Sequence, residues 1–246
     1  MMTESGLGLV KVFNGEGQAP ILLICEHATN FMPAGFNGLG LTKQQLQSHI
    51  AWDPGAIETA QIMAHLLDAP LIAAPVSRLI YDCNRPPESA TAMPLTSENQ
   101  LIPGNANLSE SSRQQRVTNY YRPFESALSE RVALMGIPLM ITVHSFTPVF
   151  LGQQRQVEIG VLHDSDSRFA DAFLQQTLSD TRFNIQRNQP YAPTDGVTHT
   201  LKHHALPYGL TNVMLEIRND LIASPLQQQE MAAYLAKHIV LALERI

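Results

Sequence analysis

Two histidines follow apolar runs in this sequence: His27, with Glu26 just before it, after "PILLIC", and His144 after "IPLMITV". A neutral imidazole suits Zn2+, and a hydrolytic zinc site uses about three protein ligands and leaves one position for water. An acidic residue must then complete the set. The candidates are Asp53 and Glu26, with Asp82 behind them. A separate carboxylate has to take the proton of the attacking water. Glu216, in the last apolar run "TNVMLEIRND", is placed for that role. Arg78, Arg85 and Arg218 also close apolar runs. A planar guanidinium matches a carboxylate bidentately, so these residues suit a substrate carboxylate or a developing oxyanion. His204 either contacts substrate or caps a turn. His199 and His203 have the four-residue spacing of two ligands on one helix face, but no acid stands between them at the metalloprotease position. Cys25 and Cys83 follow or sit inside apolar runs and read as inert core thiols.

These residues are far apart in the chain, so the fold has to collect them. Strand-like apolar runs alternate with helix-like segments, the pattern of an α/β layer fold. "PILLICEH" reads as a central strand buried on both faces. In "WDPGAIETAQIMAHLLDA", Asp53 is expected to cap a helix with Pro54 at its first position. "PLIAAPVSRLIYDCNR" predicts one or two short strands, followed by a Pro-rich loop from about 86 to 108 of the kind that often serves as a lid. Helix is expected over 109–135 with a kink or break at Pro123. Buried strands are expected at "IPLMITVHS", "VEIGVLH" and "TNVMLEIRND", with an edge strand at "RFNIQRN". The chain closes on an amphipathic helix capped by Ser224. In an open α/β sheet, ligands bind outside the carboxyl ends of the strands. That is where the polar ends of these runs would meet.

The 246 residues suit one domain spanning 1–246, and 44% hydrophobic with 15% charged residues suits a globular chain. The net charge is −6 and no basic run is present, so no footprint for nucleic acid is visible. No run reaches membrane-spanning length. "MMTESGLGLV" lacks a basic segment before an apolar core, so no secretory signal is read. The expectation is a soluble, cytoplasmic protein with a small-molecule substrate. Assembly into a homo-oligomer stays open.

Five segments in order, "CEHATNFMP", "WDPGA", "SRLIYDCNRP", "HSFTP" and "LEIRNDLI", resemble the N-formylglutamate amidohydrolase family. That family is similar in turn to the zinc carboxypeptidases and aspartoacylases. The resemblance implies a three-layer α/β/α, phosphorylase/hydrolase-like fold with a mixed central sheet. It implies metal-dependent hydrolysis, with Zn2+ or another divalent metal, of the amide of a small N-acyl acidic amino acid, first of all N-formyl-L-glutamate to formate and glutamate. By the same resemblance His27 and His144 match metal ligands and Glu216 the general base. Arg78 matches the oxyanion-supporting arginine, and Asn84 with Arg85 the pair that binds a substrate carboxylate. The wider group places a glutamate three residues after the first histidine. Here that position is Asn30. The middle ligand is therefore assigned to Asp53, with Glu26 as the alternative. Two other readings are a carboxypeptidase-like or deacylating enzyme on another amide, and a non-catalytic binding protein for small carboxylates.

Overall fold

The computed structural model describes residues 10–136 and 138–246. The reading of "MMTESGLGLV" falls almost wholly outside them. The strands are β1 (Lys11–Phe13), β2 (Ile21–Cys25), β3 (Leu71–Ala73), β4 (Thr96–Ser97), β5 (Gln100–Leu101), β6 (Leu139–Phe146), β7 (Val149–Phe150), β8 (Gln153–Gln154), β9 (Ile159–Leu162), β10 (Ile185–Arg187) and β11 (Asn212–Arg218). The α-helices are α1 (Lys43–Gln47), α2 (Ala56–Leu66), α3 (Glu110–Arg116), α4 (Arg122–Met135), α5 (Arg168–Thr177), α6 (His199–His204) and α7 (Pro225–Leu243). Among the described residues, no helix is long and apolar enough to cross a membrane.

Seven strands form one mixed sheet in the order β1-β3-β2-β6-β11-β9-β10. Strands β3, β2, β6 and β11 run parallel to one another. Strand β9 runs antiparallel to β11, and β1 antiparallel to β3. Every residue of β2 and β6 is buried. Alternate side chains point to opposite faces of a strand. Accordingly Ile21, Leu23 and Cys25 join a core with α2, α5 and α7, while Leu22 and Ile24 join a second core with α4 and α6. The result is helix, sheet, helix. Each fully buried aliphatic side chain contributes about 1.5–3 kcal/mol. That is why the runs stay apolar until the sheet edge.

The second face is the functional one. His144 lies two residues on from Thr142 and four on from Met140, whose side chain is in the second core. Glu216 lies two on from Met214, also in that core, and is paired in register with His144. Because β2, β6 and β11 run parallel, they deliver Glu26, His27, His144 and Glu216 to one edge.

One local expectation changes, and two others take a definite form. Helix α2 begins at Ala56, and its cap is Gly55 at φ 81, so Asp53 does not cap it. A Cβ on Gly55 would collide with the Ile222 carbonyl oxygen. Glycine is the residue that tolerates both this φ and this approach. Asp53 is left free to turn into the sheet edge. In "PLIAAPVSRLIYDCNR" only 71–73 is a strand. The rest is a series of turns tied down by Ser77, whose Oγ donates to the Ala51 carbonyl at 2.7 Å and whose N–H reaches the Phe31 carbonyl at 2.8 Å. The break near Pro123 is a π-turn over Val117–Tyr121, closed by the Arg122 N–H on the Val117 carbonyl. Proline, lacking its own N–H, is accommodated in the first turn of α4 that follows. The 86–108 loop carries the β4–β5 ribbon. Its end is held by Asn105, which donates to the Leu79 and Pro94 carbonyls and accepts from buried Arg116 at 2.7 Å.

Candidate active site

Three donor atoms converge at the carboxyl edge of the sheet. His144 Nδ1 lies 3.1 Å from His27 Nδ1 and 2.8 Å from Asp53 Oδ2, and His27 Nδ1 is 3.2 Å from the same oxygen. All three residues are buried, and together they form a group able to hold a metal ion. Zinc bonds of about 2.0–2.1 Å in a tetrahedral shell put neighbouring donors about 3.3 Å apart. The observed spacing is close to that.

The outer side of each imidazole supports the same reading. His27 Nε2 is 2.7 Å from Asp82 Oδ1, and His144 Nε2 is 3.1 Å from Glu26 Oε2. The Asp82 hydrogen bond behind His27 fixes the tautomer with hydrogen outward and the lone pair inward, as is usual for metal ligands, and the charge of Glu26 at ion-pair distance favours the same orientation of His144. Two inward lone pairs and a carboxylate oxygen then face one another, an arrangement that repels unless a cation or a proton lies among them. In the bare site the proton serves. Burial, the largest influence, lowers the His144 pKa, but Glu26 and Asp53 together outweigh it and raise it well above its ordinary value. Burial likewise opposes ionisation of Asp53, yet the two histidines hold its carboxyl far below the usual range. The Ser145 N–H adds a contact to Asp53 Oδ2 at 3.2 Å.

Around these donors lies a cavity of about 130 Å³ lined by His27, Asp53, Arg78, Asn84, Arg85, His144, Ser145, Tyr191, Val197 and Glu216. Burial pushes the Glu216 carboxyl up. His144 pulls it down and Asp53 pushes it up again, which leaves it at about 7. Its buried Oε2 has no hydrogen-bond partner among the described residues. Arg78 reaches Asp53 Oδ1 at 3.4 Å and Asp82 Oδ2 at 3.1 Å, so it is compensated by the carboxylates that hold the imidazoles. Arg85 is different. Its Nη1 donates to the Asn84 and Gly196 carbonyls, at 2.8 and 2.9 Å, and among the described residues it makes no ion pair with a carboxylate. The Asn84 amide is largely engaged, donating to the Val197 carbonyl and accepting from the Thr200 N–H. It ties Arg85 to the start of α6.

A larger cleft of about 420 Å³ lies on the other side of the same segment, between Pro86–Glu88 and Tyr121, Arg122, Glu125, His199, Lys202 and His203. It holds none of the converging donors. His199 and His203 stack there, the first on the Tyr121 hydroxyl and the second on Glu125, and they do not aim at a common point.

A family model for N-formylglutamate amidohydrolase matches residues 19–223. The chain belongs to the N-formylglutamate amidohydrolase family. It is therefore an amidohydrolase of N-formylglutamate-like substrates. A solved structure of a gene product of Agrobacterium tumefaciens is 47% identical, with a TM-score of 0.94, covering 98% of this chain and 97% of the other. The crystal structure of N-formylglutamate amidohydrolase from Ralstonia eutropha, at 20% identity, shares the fold with a TM-score of 0.62 and 96% of each chain covered. No curated protein matches.

Within this family member, seven expected residues line one cavity: His27, Asp53, Arg78, Asn84, Arg85, His144 and Glu216. Two others do not. Arg218, the last residue of β11, pairs with Asp220 at 2.8 Å and Glu158 at 3.3 Å and does not line the cavity. His204 is buried beside Ser129, Val132 and Leu210 on the far side of α6, where burial lowers its pKa to about 4. Glu26 stands behind His144 rather than in the donor group. Asn30 donates to the Leu46 carbonyl at 3.0 Å and faces away. Ser145, Tyr191 and Val197 also line the cavity wall and Asp82 braces His27, none of which is expected from the sequence. Asp82 carried a signal, an acid two residues before Asn84 in a polar strand end. Tyr191 carried none, since it sits in an irregular loop. Both cysteines are buried, and burial raises their pKa values well above the ordinary, so neither is set up as a nucleophile.

Proposed function

We propose that this protein is a zinc-dependent hydrolase that cleaves N-formyl-L-glutamate, or a closely similar N-acyl acidic amino acid, to the acid and the free amino acid. The observation that carries this reading is the convergence of His27 Nδ1, His144 Nδ1 and Asp53 Oδ2, each imidazole braced from behind by a carboxylate. Held by these three residues, Zn2+ would polarise the scissile carbonyl and make water more acidic. Glu216 takes the proton of the attacking water and returns it to the leaving amine. A carboxylate at about 7 is well matched to both transfers near neutral pH. Arg78 supports the oxyanion with the N–H groups that Asp53 and Asp82 leave uncommitted. Arg85, the cation without an acidic partner in the wall, takes a substrate carboxylate, with Asn84 holding it in place.

The test is metal content of the purified protein together with hydrolysis of N-formyl-L-glutamate before chelation, after it, and after Zn2+ is restored. Loss and recovery of turnover in step with about one metal per chain are expected. Undiminished activity in metal-stripped protein, or none in the zinc-loaded form, would reject the reading.

A further inference from the structure

The substrate class named above carries a second carboxylate, and Arg85 accounts for one. A second arginine beside the cavity also lacks an acidic partner. Arg155 is half-buried, with its guanidinium carbon 4.5 Å from the Phe150 ring centre, 5.0 Å from that of Tyr191 and 5.4 Å from that of Phe146. Its Nη1 donates to the Thr147 carbonyl at 3.5 Å and to the Tyr191 hydroxyl at 3.2 Å. Among the described residues no carboxylate pairs with it.

The direction of the last bond matters. Guanidinium nitrogens only donate, so the Tyr191 oxygen must accept. The phenol's own proton is then left to donate, and Tyr191 gives it to no protein acceptor among the described residues. Tyr191 lines the cavity with Glu216 and Arg78. A hydroxyl polarised by a cation is a donor suited to an anion. Its loop is placed by Gly160, which lies opposite Glu216 in the β9–β11 ladder, where a Cβ would collide with the Gln189 carbonyl oxygen. The missing side chain lets the loop cross the sheet beside the base.

We infer that Tyr191 is a specificity-determining residue that donates its hydroxyl to the side-chain carboxylate of the substrate, and that Arg155 is the positioning residue that orients and charges this contact. This rests on the reaction proposed above. Arg85 then receives the α-carboxylate, and the two cations together select an acidic amino acid over a neutral one.

The experiment compares kcat/KM for N-formyl-L-glutamate and N-formyl-L-norvaline, which replaces the carboxylate with a methyl group. The proteins are the zinc-loaded wild type, Tyr191→Phe, Arg155→Met and Arg155→Lys. Calorimetry of L-glutamate and L-norvaline on the same proteins reads the subsite without chemistry. The preference for the acid is expected to fall about 10- to 100-fold in Tyr191→Phe, the range for a hydrogen bond to a charged group, mostly through KM. It should fall similarly in Arg155→Met and recover in part in Arg155→Lys. An equal loss on both substrates, or an unchanged preference, overturns the subsite while leaving the reaction intact. If neither compound is hydrolysed, the reaction reading falls. Calorimetry then decides the subsite: a glutamate preference that Tyr191→Phe abolishes supports it, and no preference overturns it.

Discussion

At the residue level, the His27 and His144 rings meet edge to face, 4.7 Å between centres, with both Nδ1 atoms on Asp53 Oδ2. Asp82 holds the His27 ring by a hydrogen bond at its opposite nitrogen, and Glu26 stands at ion-pair distance from that of His144. Neutralising either brace in Asp82→Asn or Glu26→Gln should weaken zinc affinity about 10- to 100-fold in a competition titration, the usual cost of losing such a partner. Glu216 is bound to neither ring, so its carboxyl stays available. Glu216→Gln should keep the metal, measured by atomic absorption, and lower kcat by about 100- to 10,000-fold. The pH profile follows from the direction of its shift. Burial raises Glu216 to about 7, and only the ionised form accepts a proton, so kcat/KM falls as pH drops through that value. A bound cation favours the ionised form and moves the limb lower. The acid limb of the zinc-loaded protein should therefore lie at or below pH 7 and vanish in Glu216→Gln.

At the level of elements, "WDPGA" shows how a local motif is decided by its neighbours. Asp53 followed by Pro54 resembles a helix start, yet the Asp53 N–H is held by the His27 carbonyl at 3.0 Å and Ser145 Oγ holds the Pro54 carbonyl at 2.9 Å. The turn after β2, the end of β6 and the entrance to α2 are thus tied into one unit, and the cap passes to Gly55. Gly55→Ala meets both a positive φ and the Ile222 carbonyl, and should destabilise by about 2 kcal/mol or more in urea unfolding. Unchanged stability would argue against the close approach of Gly55 to the Ile222 carbonyl. The strands were legible because burial on both faces leaves continuous apolar runs. The turns over 74–85 were not, because their apolar residues serve a core without forming a ladder.

For the whole molecule, the sheet edge concentrates Glu26, Asp53, Asp82 and Glu216 around two imidazoles and Arg78. Buried like charges oppose folding unless compensated. A cation that binds only the folded chain adds RT ln(1 + [L]/Kd), about 2.7 kcal/mol at a hundredfold excess over Kd. For a chain of this size that corresponds to a rise in Tm of about 5–10 °C. Thermal melts with Zn2+ and with a chelator should differ by this amount in the wild type and by much less in His144→Ala. Equal melting in both conditions would argue against a structural link between the site and a metal.

The sequence by itself determined the layer class, the central strands and most of the polar residues that meet at the sheet edge, because burial periodicity and side-chain chemistry are local properties of the chain. It placed His27, His144, Asp53, Glu216, Arg78, Asn84 and Arg85 in one site through the ends of their runs. It preferred Asp53 to Glu26 as the partner of the imidazoles, and the packed structure gathers Asp53 with them and leaves Glu26 behind His144. It could not say that Arg218 and His204 turn away or that Tyr191 arrives from the loop after the edge strand β10. Those are matters of which face a residue leaves by and which neighbours compensate its charge. Only the packed tertiary structure decides them, because they depend on contacts between segments that the chain keeps far apart.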